Sequence, residues 1–130
     1  MGLSVFDERI PYLANGNIAA AATPGLVYFA LAGPTGTRID NVLVSTSDSV
    51  AVHLEVTVYD GGSTGFPFRV VVIPAGAGRT AGVPAVDLIQ ALGLLQEGIP
   101  LPANTQFQGY LPTALSAGTD LAWTSFGGHY

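Results

Sequence analysis

His53 and His129 are the two histidines of this chain, and with nine acidic residues they make up its capacity for acid–base chemistry near neutral pH. His53 lies within an alternating run, in the phase opposite Val52, Leu54 and Val56, where a surface or cross-strand histidine is expected rather than a catalytic base. His129 is the second-last residue, a position that suits a contact better than catalysis. Among Asp40, Asp48, Glu55, Asp60 and Asp87, no spacing selects a pair for glycoside hydrolysis. With no cysteine, the chain has no thiol nucleophile, disulfide or thiolate metal site. The segment Asp60-Gly61-Gly62-Ser63-Thr64 offers one carboxylate where calcium needs roughly six to eight oxygens, and it reads as a tight hairpin. The loop Gly76-Ala77-Gly78-Arg79-Thr80-Ala81-Gly82 has glycines that would let amides approach an anion. It lacks the spacing and the lysine of a nucleotide loop, and reads as a flexible connection or a subunit contact. No catalytic residue, cofactor or metal site is expected, and the chain is not read as an enzyme.

The elements that would position any site are strands. In Val50 to Tyr59, Val50, Val52, Leu54, Val56 and Val58 occupy one phase and His53, Glu55, Thr57 and Tyr59 the other, the period-2 pattern of a strand with one dry face. Further runs at Leu26 to Ala32, Thr37 to Thr46, Phe66 to Ile73, Gln106 to Leu111 and Leu121 to Phe126 are separated by Gly-, Ser-, Asp- and Pro-rich turns. This predicts an all-β domain, an antiparallel β-sandwich or jelly roll, over residues 25–130. Phe66 to Ile73 is apolar in both phases, which predicts a central strand or one covered by another subunit. Val86, Ile89 and Leu92 fall at helical spacing after Pro84, which predicts one short helix in a connection, ended by Pro100 and Pro102. Residues 1–24 show no sustained alternation and an Asn15-Gly16-Asn17 turn cluster. They read as an extended arm with a reach on the order of 80 Å, or else as an edge strand or a frayed terminus folded on its own domain.

Composition bounds the partners. Charged residues are 10% and apolar residues 48%, with 17 glycines and 9 prolines, so little charge keeps copies of the chain apart and part of the exterior is expected to be buried against another protein or another copy. The net charge is −5, there is no lysine, and Arg9, Arg38, Arg69 and Arg79 are scattered, which disfavours nucleic acid and anionic membrane surfaces. The amino terminus does not read as a secretory signal, and the apolar stretch from Ile18 to Gly33 is broken by Thr23-Pro24-Gly25 and too short to span a bilayer. Most aromatics fall in strands and are expected in the core. Tyr110 and Trp123 stand out because each has a flat apolar body with a polar tip suited to an interface.

Arg38-Ile39-Asp40-Asn41-Val42 with Ser45-Thr46-Ser47-Asp48, then Asp60-Gly61-Gly62, Pro84-Ala85-Val86-Asp87-Leu88, Leu101-Pro102-Ala103 and the closing Ser125-Phe126-Gly127-Gly128-His129-Tyr130 form an ordered series. Over residues 37–130 the chain thereby resembles the small β-sandwich proteins that decorate, or cement, the heads of tailed bacteriophages. The resemblance implies a homotrimer on the outer capsid surface of the virion, with the major capsid protein as partner. The alternatives are a phage tail or fibre module, or a small carbohydrate-binding β-sandwich. The residues expected at interfaces are Phe6, Arg9, Ile10, Tyr12 and Leu13 of the arm, Arg79 of the glycine-rich loop, Tyr110, Trp123, and the terminal His129 and Tyr130.

Overall fold

The computed structural model describes residues 10–59, 66–93 and 98–130. Two antiparallel sheets pack face to face. One is five-stranded and runs β1 (Ile10–Ala19), β9 (Asp120–His129), β3 (Thr37–Thr46), β6 (Val86–Asp87), with β7 (Ile99–Leu101) also on β3. The other is four-stranded and runs β2 (Gly25–Leu31), β8 (Gln106–Leu111), β4 (Val52–Tyr59), β5 (Phe66–Ile73). β6 pairs with Leu43 and Val44, and β7 with Thr37 to Ile39, so the two short strands are halves of one interrupted edge along β3. With those halves counted together, the chain alternates between sheets except at the β4–β5 hairpin, as a jelly roll does.

The excursion between the halves contains α1 (Leu88–Ala91), a helix in the connection where one was expected but shorter: Val86 belongs to β6, and the helix ends at Leu92 rather than at Pro100. Asp87 caps it: one carboxylate oxygen accepts from the Ile89 amide at 3.1 Å, and the other accepts from the Asn41 amide group at 2.8 Å. Leu88 and Ile89 are fully buried, so packing rather than length stabilises so short a helix.

The interior lies between the sheets. Val52, Leu54 and Val56 of β4 point inward with Phe107 and Leu111 of β8, against Ile39, Val42 and Val44 of β3 and Leu121 of β9. Each fully buried apolar side chain of this size contributes about 1.5–3 kcal/mol. Val50 departs from this phase and is exposed, because β4 begins only at Val52 and the preceding turn is closed by the Val50 amide donating to Asp48 at 3.0 Å. Phe29 packs edge-on against Trp123 with ring centroids 5.5 Å apart and lies 5.6 Å from Phe107. Gly109, in mid-strand, leaves room for this cluster: a Cβ there would lie 2.7 Å from the Phe29 ring and 2.8 Å from Leu54. β2 bulges at Phe29, and the buried Ser125 hydroxyl donates to the Phe29 carbonyl at 2.6 Å, tying one sheet to the other.

Two expectations are corrected here. Residues 10–19 are not a free arm: β1 pairs with β9 along its whole length, because its alternation, with Tyr12, Ala14 and Ile18 turned inward, gives it a dry face of its own. Residues 20–24 continue into β2, and residues 1–9 lie outside the described residues. Of the two positions expected for β5, the central one is corrected: it is an edge strand, with Val71 and Ile73 buried and Val70 and Val72 on the open face.

Candidate functional site

Dispersal is what the acidic groups show. Asp87 caps α1, while Asp48 is buried in the β3–β4 turn and accepts from the Ser116 amide at 2.9 Å and the Ser116 hydroxyl at 2.8 Å. The Ser116 N–H and O–H hold the Asp48 carboxyl below its ordinary value, with help from the Val50 and Ser49 amides and against the opposing effect of burial. Asp120 is likewise lowered, first by the hydrogen bonds from Arg79, which reach it at 3.1 and 3.3 Å. Both carboxylates thus serve turns and loops. Among the described residues, no group of three or more His, Asp or Glu side chains is placed to hold a metal ion, and no helix is long and apolar enough to cross a membrane.

The glycine-rich loop is pinned rather than flexible. The Gly76 amide donates to the Asp48 carbonyl, that of Gly78 to Val83, and those of Arg79 and Thr80 to Gly76, all at 2.8–2.9 Å, while Thr46 donates to the Ala77 carbonyl. The amides of residues 76–80 are therefore committed within the fold and are not donors for an anion. The hairpin expected at residues 60–64 lies outside the described residues. The spacing Gly-x-Ser-x-Gly occurs at Gly61, Ser63 and Gly65 of that segment. Its catalytic form needs a strand-to-helix turn, whereas this segment joins the antiparallel partners β4 and β5.

The residues expected at interfaces do not gather in one place. Phe6 and Arg9 lie outside the described residues, and Ile10 stands opposite His129 in the β1–β9 register. Tyr12 is half-buried, its hydroxyl accepting from the Leu31 amide at 3.2 Å and its ring edge-on to His129 at 4.7 Å. His129 also shares a hydrogen bond with the Thr37 hydroxyl. Tyr130 donates its amide to Gly36 at 3.0 Å, and its carbonyl accepts from the Thr35 hydroxyl. The carboxy terminus is therefore docked on its own domain. Leu13 and Phe126 are exposed cross-strand partners on the outer face of the five-stranded sheet, near Leu43. Arg79 lies on the same face, bonded to Ser45 and paired with Asp120. Trp123 is a correction: only 9% of it is exposed, because in β9 it shares the inward phase of Leu121 and Ser125.

Tyr110 is where an interface was expected, on the outer face of the four-stranded sheet. Register places Leu26 of β2 beside Tyr110 of β8, then Glu55 of β4, then Val70 of β5, with Val72 beside His53 one step along. Leu26 is 52% exposed, Tyr110 38%, Val70 53% and Val72 51%. An apolar row therefore crosses the full width of the sheet, interrupted by Glu55. Phase alone does not reveal it, because a row across four strands becomes visible only once strand order is known. A two-sheet jelly roll with an apolar row across the outer face of its four-stranded sheet is thus the class the geometry defines. No protein-family model matches the chain, and no curated protein matches it.

Proposed function

We propose that this chain is a non-enzymatic structural protein of a tailed-phage virion, which decorates and cements the outer surface of the capsid through repeated contacts with major capsid subunits and with copies of itself in a trimer. The observation that carries the reading is the apolar row Leu26, Tyr110, Val70 and Val72 on the four-stranded sheet. β5 extends it to the sheet edge, where unpaired backbone groups add a further means of contact. Low charge and the series of short patterns resembling head decoration proteins point the same way. Contacts weak singly become firm when repeated over a symmetric lattice.

The test is attachment to heads that lack the protein. Wild-type chain is expected to co-sediment with them, and a Val70→Asp/Val72→Asp variant, shown to be folded by its circular dichroism, is expected to stay in the supernatant. Equal co-sedimentation of the two would remove the sheet face from the contact.

A further inference from the structure

Where β1 and β2, the edge strands of the two sheets, run past each other without forming a ladder, a cleft of about 320 Å³ opens. It is at the small end of the range of about 300–1,000 Å³ for small-molecule sites. Tyr12 and Asn15 come from β1, Tyr28 from β2, Gln106 from β8 and Trp123 from β9, with Phe29 behind them. None of the residues lining it is charged.

Several local departures from regular structure meet at this place. Gly16 stands opposite Trp123, and a Cβ there would lie 2.7 Å from the indole, so only glycine lets the ring reach toward the β1 edge. The β2 bulge at Phe29 breaks the alternation between Tyr28 and Ala30, and both of these border the cleft. Tyr12 is held rigid by the Leu31 amide and by His129. Tyr28, by contrast, is 54% exposed.

The polar groups are unused in a way that suits a hydroxylated ligand. Among the described residues, the nine-tenths buried Trp123 has no acceptor for its indole N–H, and the side chains of Asn15 and Tyr28 have no hydrogen-bond partner. Gln106 accepts from Gln108 through its carbonyl oxygen at 2.6 Å, and its own amide protons have no partner among the described residues. A buried donor without a partner carries a real cost, which a ligand oxygen would relieve.

We propose that this cleft binds one neutral pyranose ring. The apolar C–H face of the sugar lies against Tyr28 and the neighbouring aromatic wall, while its hydroxyls bond to the amides of Asn15 and Gln106 and to the Trp123 indole. The uncharged lining selects neutral hexoses over uronic or sialic acids, whose carboxylate would meet no cation there. The cleft shares no residue with the sheet row proposed to meet the capsid, although Tyr28 stands two residues from Leu26 on the same face of β2.

Trp123 is the chain's single tryptophan, so its emission reports directly on the cleft. The experiment titrates the whole chain with methyl glycosides of glucose, galactose, mannose and N-acetylglucosamine, with neutral trisaccharides, and with glucuronate and sialic acid. Fluorescence and titration calorimetry are read in parallel. The expected result is a saturable shift with at least one neutral sugar, weakened at least about tenfold in Tyr28→Ala, whose exposed side chain can be removed without loss of the fold. Tighter binding of a trisaccharide would assign the site to a glycan chain, and equal binding to a free sugar. No shift and no heat across the neutral panel would overturn the proposal, as would undiminished binding by a folded Tyr28→Ala or preference for the charged sugars.

Discussion

On the outer face of the five-stranded sheet, polar side chains find partners in the chain itself. Arg79 pairs with Asp120 at 3.1 Å and donates to Ser45 at 3.1 Å, the Ser47 hydroxyl donates to Asp120 at 2.9 Å, and Asn41 donates to Asp87 at 2.8 Å. These contacts fasten the 74–85 loop and the start of α1 onto β3 and β9. On the outer face of the four-stranded sheet, Leu26, Tyr110, Val70 and Val72 lie open, and His53, Glu55 and Thr57 between them make no side-chain hydrogen bond among the described residues. The first face is finished by its own loops, although Leu13, Leu43 and Phe126 remain exposed there. Among the described residues, none covers this row on the second. The two faces thus differ in how far the chain's own polar contacts cover them, while both keep exposed apolar side chains.

Substitutions can break or sharpen this contrast. The largest effect belongs to the shared interior: Leu54→Ala should cost ~2–5 kcal/mol in urea unfolding and unfold both sheets in one transition. Separate transitions for the two sheets would show that they are not one cooperative unit.

Asp48→Ala comes next, at about 1–3 kcal/mol, since it strips the Ser116 and Val50 amides of their acceptor in a buried turn. Because the folded Asp48 carboxyl titrates below its ordinary value of 3.8, its ionised form stabilises the fold in full above that pH. The contribution disappears as pH falls from there through the lower folded value. Thermal unfolding between pH 6 and about 2.5 should accordingly show a shallower acid limb for Asp48→Ala than for wild type, and parallel limbs would contradict the assignment.

Arg79→Ala should cost less than about 1 kcal/mol, because its ion pair with Asp120 is partly solvent-exposed, and the loss should shrink further in high salt. The smallest effect is expected on the open face. Val72→Thr keeps the β-branched shape and should change stability by no more than about 0.5 kcal/mol, yet weaken attachment to heads. A large stability loss there would mean that the row contributes to the fold after all.

The strands with alternation were legible in the sequence because each side chain's phase declares its face, and Leu54 and Val56 are buried as that phase requires. β1 was harder to read. Asn15-Gly16-Asn17 has the letters of a turn, but Gly16 is small because the Trp123 ring occupies the space of its side chain. β7 was hidden by Pro100, which an edge strand tolerates because its missing amide and exposed ring face solvent. The double apolar phase of β5 suggested a central strand or one covered by another subunit, and nothing in one strand's letters distinguishes a central strand from the edge strand that the structure shows. The cleft was beyond reach for a related reason. Its walls come from residues 12, 14, 15, 28–31, 106 and 123, which only the jelly-roll order of the strands brings together.

The central claim is that the open sheet face exists to meet a repeating partner. The most direct measurement is the number of copies of this chain per major capsid subunit in purified particles, counted by quantitative mass spectrometry. The account predicts a fixed ratio set by the capsid lattice. A handful of copies per particle, or none, would contradict it.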